Sequence, residues 1–459
     1  MTDDPGDRRT PSGPQTPSGP PTPMEEPRPP IEERLALAGL PPLGRTAWIE
    51  IDTAALASNL AVLRAMAGAG VALLPVVKAD AYGHGMVPVA RTLAAAGADG
   101  LCIATLDEAI VLRDSGIGVP LLVLYPVPPS GVVDAARRRI GLAGGSAGAL
   151  AELLGAATAA GVADQLSIEL EIETGLGRGG VLPAGAVDAA RAILAVGARL
   201  GGVWSHLQEA EVADLTAAQI ARFEEALAAL AAAGIAVPRR HLAASAGILL
   251  GTVPTYDAVR PGLATYGIVP DELAAAGIGL DDLLPAAREL RPILSLRARP
   301  VRVTELPAGH GVSYGPTWRA PRPSRIATLP LGYGDGWPRS LSNRAEVLVR
   351  GVRVPVVGNV AMDATMIDVS AVPGRPVDGD DEVVLIGRQG HAEIGAAEVA
   401  RWRTTNSWEV VTAMSARLAR VYDAPAGLTG SRPLAHLENA WPGSSSGTET
   451  SANSRSTPS

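Results

Sequence analysis

VALLPVVKADAYGHG, residues 71–85, runs from a short apolar stretch into a lysine and then a turn-forming segment. A short apolar run that ends in turn residues reads as a strand buried on both faces, as in parallel sheets. The lysine gives the stretch its weight: of 39 Lys plus Arg residues, Lys78 is the one lysine. An arginine-biased composition accounts for scarcity, but not for where the survivor sits. The end of a buried strand suits a position that must lose its proton and attack a carbonyl carbon as a free amine, which guanidinium cannot do.

Working outward, 71 to about 265 alternates short apolar runs with Ala-rich amphipathic segments, the pattern of repeated strand–helix units. Eight candidate strands lie near 71–77, 99–104, 120–125, 140–143, 166–173, 200–206, 239–244 and 258–264. Eight such units suggest a (β/α)8 TIM-type barrel, although a doubly wound open sheet has the same local signature. From about 287 the chain changes to valine-rich alternating runs broken by Gly and Pro, which reads as a mostly β C-terminal domain. The expected organisation is a Pro-rich disordered tail (1–43), a barrel (44–286), a β domain (287–425) and a mostly disordered C-terminal tail (426–459). The strand 47–52 precedes the barrel count and is a candidate for the β domain, with Thr53 capping the helix after it.

Composition bounds the function. Hydrophobic residues make up 47% of 459, enough for large cores, and a net charge of -8 without long charged runs argues against a nucleic-acid or anionic-membrane surface. The single cysteine, Cys102, excludes an internal disulfide, and the N-terminus lacks the pattern of a secretory signal, so a cytoplasmic enzyme acting on a small molecule is expected. Six histidines and one cysteine show no metal-ligand spacing.

The unusual polar residues fall at or just past strand C-termini: Lys78 after the first, Arg178 after the fifth, His206 at the sixth, Ser245 after the seventh and Arg260 in the eighth. In a barrel these ends converge on one mouth, where active sites are built.

VVKADAYGHG (76–85) resembles the cofactor-binding signature of alanine racemases. The likeness continues in order through ETGLGRGG (173–180), WSHLQEAE (204–211), HLAASAG (241–247), YDAVRPGLATYG (256–267), GHGVSYG (309–315), LGYGDGWPR (331–339), GNVAMD (358–363) and TNSWEV (405–410), spanning roughly 46–424. The resemblance implies a pyridoxal 5'-phosphate barrel followed by a β domain, paired as a homodimer with shared active sites, that interconverts L- and D-alanine and supplies D-alanine for cell-wall peptidoglycan. It implies that Lys78 holds the cofactor and acts as one base, with Tyr314 from the second subunit as the base on the opposite face. Service as a base near pH 8 asks a tyrosine for a depression of about two pKa units, roughly 3 kcal/mol. His206 and Arg260 are implied in a hydrogen-bonded chain toward that tyrosine. Arg260 would also face the pyridine nitrogen, keeping it unprotonated and so disfavouring a long-lived carbanion. Tyr82, Ser245 and the amides of Gly262 and Leu263 are implied phosphate donors. Gly83 and Gly85 read equally well as plain turn residues.

Arg178 and the Met362 amide of the partner subunit would hold the substrate carboxylate. Tyr333, with Asp335 and Arg339, matches an entrance segment that narrows access, and Asp363 has a supporting place. Three departures stand out. Trp408 replaces a usual phosphate-binding tyrosine. Glu171 stands where many members carry a carbamylated lysine, and strand alternation turns it inward, toward Arg178. Glu173 replaces an aspartate, with Ala244 and Ala361 at positions often polar or cysteine, which leaves a serine or broad-specificity racemase as an alternative. A PLP-barrel amino-acid decarboxylase is a remoter one.

Overall fold

The computed structural model describes residues 29–424 and 427–431. Eight parallel strands, β2 (Ala72–Leu73), β3 (Leu101–Ile103), β4 (Leu121–Val123), β5 (Gly141–Gly144), β6 (Ser167–Glu171), β7 (Arg199–Trp204), β8 (Arg240–Ala244) and β9 (Ala258–Arg260), lie at the eight expected places. They are short and nearly free of exposed residues, because parallel strands under a helical layer bury both faces. β2 and β3 end the hydrogen-bonded order, and a parallel Val76–Cys102 bridge joins them. The Cys102 amide donates to Pro75 O at 2.9 Å and the Val77 amide to Cys102 O at 2.8 Å, which closes the barrel. The open-sheet alternative is thereby excluded.

β1 (Ala47–Asp52) belongs to a second sheet. It pairs antiparallel with β10 (Leu294–Ala298) and parallel with the later strand Ala419–Ala424. β11 (Arg302–Leu306), β12 (Ser324–Leu329) and β15 (Thr365–Asp368) form a separate three-stranded sheet. β13 (Glu346–Val349), β14 (Val352–Pro355), β16 (Val383–Gln389), β17 (Ala392–Ile394), β18 (Ala419–Ala424) and β19 (Gly427–Ser431) complete the large one. The helix after β1, Thr53–Ala67, is capped by Asp52, whose carboxylate accepts from the Ala55 amide at 2.7 Å. Thr53, expected as the cap, lies inside the first turn and donates its hydroxyl to Asp423 O at 2.7 Å. One apolar core runs continuously from the barrel into the β domain.

The tail expectation needs correction near its inner edges. Ile31–Leu37 forms a helix whose Ile31 and Leu35, one turn apart, pack on Trp48 and Val421, while Arg34 pairs with Glu50 at 2.8 Å. Two apolar residues in a Pro- and Glu-rich stretch give little local signal; their partners lie on distant strands. β19 likewise falls in the stretch expected to be mostly disordered and pairs with β18. The remaining tail expectations, for 1–28 and 432–459, lie outside the described residues. Among the described residues no helix is long and apolar enough to cross a membrane.

Candidate active site at the barrel mouth

The chain leaves β2 through Val76 and Val77 and enters an unusual turn at Lys78. Ala79, Asp80, Ala81 and Tyr82 all have φ between 53° and 54°, a left-handed turn made without glycine. Each such residue costs roughly 1–2 kcal/mol, so the turn persists only where its surroundings hold it. The Ala79 amide donates to Glu108 Oε1 at 2.6 Å and the Met86 amide to Asp80 Oδ1 at 2.8 Å. The β domain clamps the far side, with Arg420 Nε donating to Gly83 O at 2.9 Å and Tyr422 Oη to His84 O at 3.1 Å. Gly83 is needed structurally: φ is 80°, and a Cβ there would sit 2.2 Å from Val411 O.

The turn delivers Lys78 and Tyr82 to a cavity of about 300 Å³ at the strand C-termini, which Arg178, His206, Ser245, Arg260, Gly262, Leu263 and Trp408 also line. Burial, then the neighbouring Arg178 charge, holds the Lys78 amine below its usual pKa, which favours the neutral nucleophile. Lys78 Nζ and the Arg178 guanidinium lie 6.0 and 5.5 Å from the centre of the same Tyr125 ring, and all three line one cavity. Tyr125 was not singled out from sequence, although it ends the third expected strand.

Arg178 is held from behind. The Glu173 carboxylate accepts from the amides of Gly175 and, at 2.9 Å, Gly177, which folds the glycine loop that presents Arg178. Glu173 thus braces a loop, whereas Ala244 lines the cavity. Glu171 faces inward with its Oε1 4.0 Å from Arg178 Nη2. Burial raises its carboxyl to about 7, against the opposing pull of Arg178 and Arg260.

At the cavity floor Arg260 is 2% exposed and stacks over Trp204 at 4.8 Å. Its Nη2 donates to Ser205 O at 2.6 Å and lies 3.4 Å from His206 Nδ1, so the expected Arg260–His206 contact is a long one. Burial and then Arg260 push His206 down to about 3, keeping it neutral. Arg260 Nη1 lies 2.6 Å from His241 Nδ1, and His241 Nε2 lies 2.5 Å from Glu169 Oε2. Neither residue was anticipated; the alternation that turned Glu171 inward applies equally to Glu169, two positions earlier.

Also in the cavity lining, Ser245 Oγ accepts from the amides of Gly262, at 2.9 Å, and Ala264, at 3.1 Å, leaving its one O–H to donate elsewhere. The Gly262 amide is therefore engaged within the chain. A Cβ on Gly262 would lie 2.8 Å from the Tyr82 hydroxyl, so glycine is what lets phenol and backbone meet. An amine held below its usual pKa, a buried guanidinium and a hydroxyl, a phenol and an indole lining the same cavity fit a group carrying an aldehyde, a basic ring nitrogen and a phosphate.

Tyr314, Tyr333, Met362 and Asp363 line a different cavity, of about 770 Å³, together with Ala361. None of them lines the Lys78 cavity. Tyr314 is 77% exposed and Met362 52%. Asn359 Nδ2 donates to Tyr314 O at 2.8 Å, fixing the backbone while the phenol projects outward. Asp363 pairs with Arg417. Asp335, expected in an entrance segment, is fully buried and pairs with Arg45 at 2.8 Å, an internal brace.

Residues 51–270 match the family model of the alanine racemase N-terminal domain, and 293–422 match that of the C-terminal domain. The alanine racemase of Symbiobacterium thermophilum is 41% identical over 384 residues, 82% of this chain and 97% of that protein. The solved alanine racemase of Streptomyces coelicolor superposes with a TM-score of 0.74 at 38% identity, covering 82% of this chain and 98% of that one. The alanine racemase of Bartonella henselae, solved with covalently bound pyridoxal phosphate, gives 0.70 at 27%, covering 82% and 99%.

Proposed function

The chain belongs to the alanine racemase family and is an isomerase, and from that premise we propose that it interconverts L- and D-alanine with pyridoxal 5'-phosphate attached at Lys78. The observation that carries this reading is that the Lys78 amine and the Arg178 fork both lie within about 6 Å of the Tyr125 ring centre and line one cavity with the buried Arg260. When bound, the cofactor supplies the electron withdrawal that makes the hydrogen on the substrate's Cα removable.

The chain's own residues do the rest. Arg178, with the Met362 amide of the partner subunit, binds the carboxylate, and Glu171 orients Arg178. Lys78 Nζ takes or returns the Cα proton on one face. The hydroxyl of Tyr314 of the partner subunit serves the other face, which agrees with a phenol exposed and remote from Lys78 in its own chain. Tyr82, Ser245, the Leu263 amide and Trp408 hold the phosphate, with Gly262 admitting the close approach. Arg260 holds the ring nitrogen as an acceptor, because guanidinium keeps its proton even where burial brings it down to about 10. His206, neutral, lies between Arg260 and the entering tyrosine, and Tyr333 and Asp363 shape the partner's passage.

A cytoplasmic homodimer supplying D-alanine for peptidoglycan is the corresponding cellular reading. A serine or broad-specificity racemase is the second reading, favoured specifically by Ala244, whose small side chain lines the cavity. Incubating the PLP-loaded protein in deuterated water with L-alanine, L-serine and L-lysine tests both. Deuterium entering Cα of alanine with loss of optical activity is expected. Faster exchange of serine would select the second reading, and a decarboxylated product would overturn both.

A further inference from the structure

Glu169 lies two residues from Glu171 on β6, and its carboxylate is 6% exposed. It does not line the Lys78 cavity. Its position is nonetheless constrained: its Oε2 meets His241 Nε2 at 2.5 Å, Arg239 Nη1 lies 3.8 Å from its Oε1, and a Cβ on Gly202 would come within 3.0 Å of it. His241, fully buried and stacked parallel to Trp204, reaches across to Arg260 Nη1 at 2.6 Å.

The protons in this chain can be placed by exclusion. Guanidinium has only donors, so the ring nitrogen facing Arg260 at 2.6 Å must be bare. The imidazole proton then sits on Nε2 and donates to Glu169, and an imidazolium, with donors on both nitrogens, would set one against Arg260. Glu169 is thus the acceptor that selects the tautomer. With Nη1 held by His241 and Nη2 by Ser205 O, the Arg260 Nε–H is left without an acceptor among the described residues, on a side chain that lines the cavity.

We propose that Glu169 is a positioning residue for the racemase site, acting through His241 to fix the orientation of Arg260 and to hold its proton against transfer to the group bound above it. Within 4 Å Arg260 has no carboxylate partner among the described residues; the carboxylates whose charge reaches it are Glu169 and Glu171, and Glu169 is joined to it through one imidazole. Arg239, 32% exposed, completes the set of charges facing Glu169. The proposal rests on the function proposed above for what Arg260 contacts, but the tautomer is a property of the chain alone.

The test therefore has two arms. In cofactor-free wild type carrying 15N-histidine, His241 should show a bare Nδ1 and a protonated Nε2; a proton on Nδ1 overturns the proposal whatever the enzyme does. In the second arm Glu169→Gln, which keeps an acceptor for Nε2–H, is compared with Glu169→Leu, which does not. Glu169→Leu should lower kcat roughly 10- to 100-fold, as a displaced catalytic contact does, with KM for alanine little changed and the pH dependence of the bound cofactor's absorption altered. Glu169→Gln should recover most of kcat. Equal impairment of the two variants, or an unaltered absorption profile in Glu169→Leu, contradicts a positioning role. Inactivity of the wild type itself would instead count against the racemase reading and leave the tautomer result standing.

Discussion

Replacing Glu171 by glutamine should make the protein more stable and less competent at once. The side chain is 7% exposed, and burial outweighs two arginines in lifting its carboxyl from 4.5 to about 7. The folded state therefore binds this proton more tightly than the unfolded chain does. Its contribution to stability is fully present below the unfolded value and is lost as pH rises from about 4.5 through about 7. At about 1.4 kcal/mol per unit the shift sets a ceiling of ~3.5 kcal/mol, and water at the cavity mouth brings this to roughly 2. At pH 8, cofactor-free Glu171→Gln should gain roughly that much in urea unfolding, and the gain should shrink toward pH 5. Function moves the other way. A charge pair at 4.0 Å is worth about 4 kcal/mol at an effective dielectric of about 20. Arg178 is 38% exposed, which lowers this to about 1 kcal/mol, or about fivefold in KM for alanine. Wild-type KM should fall as pH rises through about 7, where Glu171 becomes charged, and the variant should lack that step. A variant that is destabilised at pH 8, or that matches the wild-type KM across the range, would refute the reasoning.

Lys78→Arg keeps a long basic side chain but loses the nucleophile, so borohydride reduction should leave no cofactor attached to the chain; covalent attachment elsewhere would contradict it. Tyr314→Phe should abolish racemisation while preserving solvent exchange of Cα from one enantiomer, read by proton NMR in deuterated water; equal loss from both enantiomers would mean that the phenol is not a face-specific base. Trp408→Tyr should tighten cofactor binding by about 1 kcal/mol, or about fivefold in Kd, if a phenol donates better to the phosphate than indole does, and a spectral titration reads the sign.

All eight barrel strands are legible because short apolar runs under helices carry their own local pattern, and the strand-end rule points to Lys78, Arg178, His206, Ser245 and Arg260, which line one cavity. Inward alternation turns Glu171 toward Arg178, and its Oε1 lies 4.0 Å from Arg178 Nη2. Glu169 obeys the same alternation, but its meaning depends on His241, 72 positions away, and no local pattern encodes that pairing. The left-handed turn after Lys78 was illegible for the opposite reason: Ala79–Tyr82 have no intrinsic preference for it, and the Glu108 contact and the β-domain clamp impose it. Glu173, which the sequence marks only as a departure bearing on substrate range, is a loop brace, because its acceptors fold back onto Gly175 and Gly177. The helix Ile31–Leu37 was hidden by its polar neighbours, since Ile31 and Leu35 find their apolar surface on Trp48 and Val421.

A site that joins Lys78 of one chain to the tyrosine of another is tested most directly by mixing two inactive variants. Lys78→Ala and Tyr314→Phe subunits, unfolded together and refolded in equal amounts with cofactor, should pair at random into about half mixed dimers, each holding one intact site, and recover about one quarter of wild-type racemase activity. No recovery from properly paired mixtures, or a Tyr314→Phe homodimer that racemises alanine at the wild-type rate, would contradict the shared two-base site.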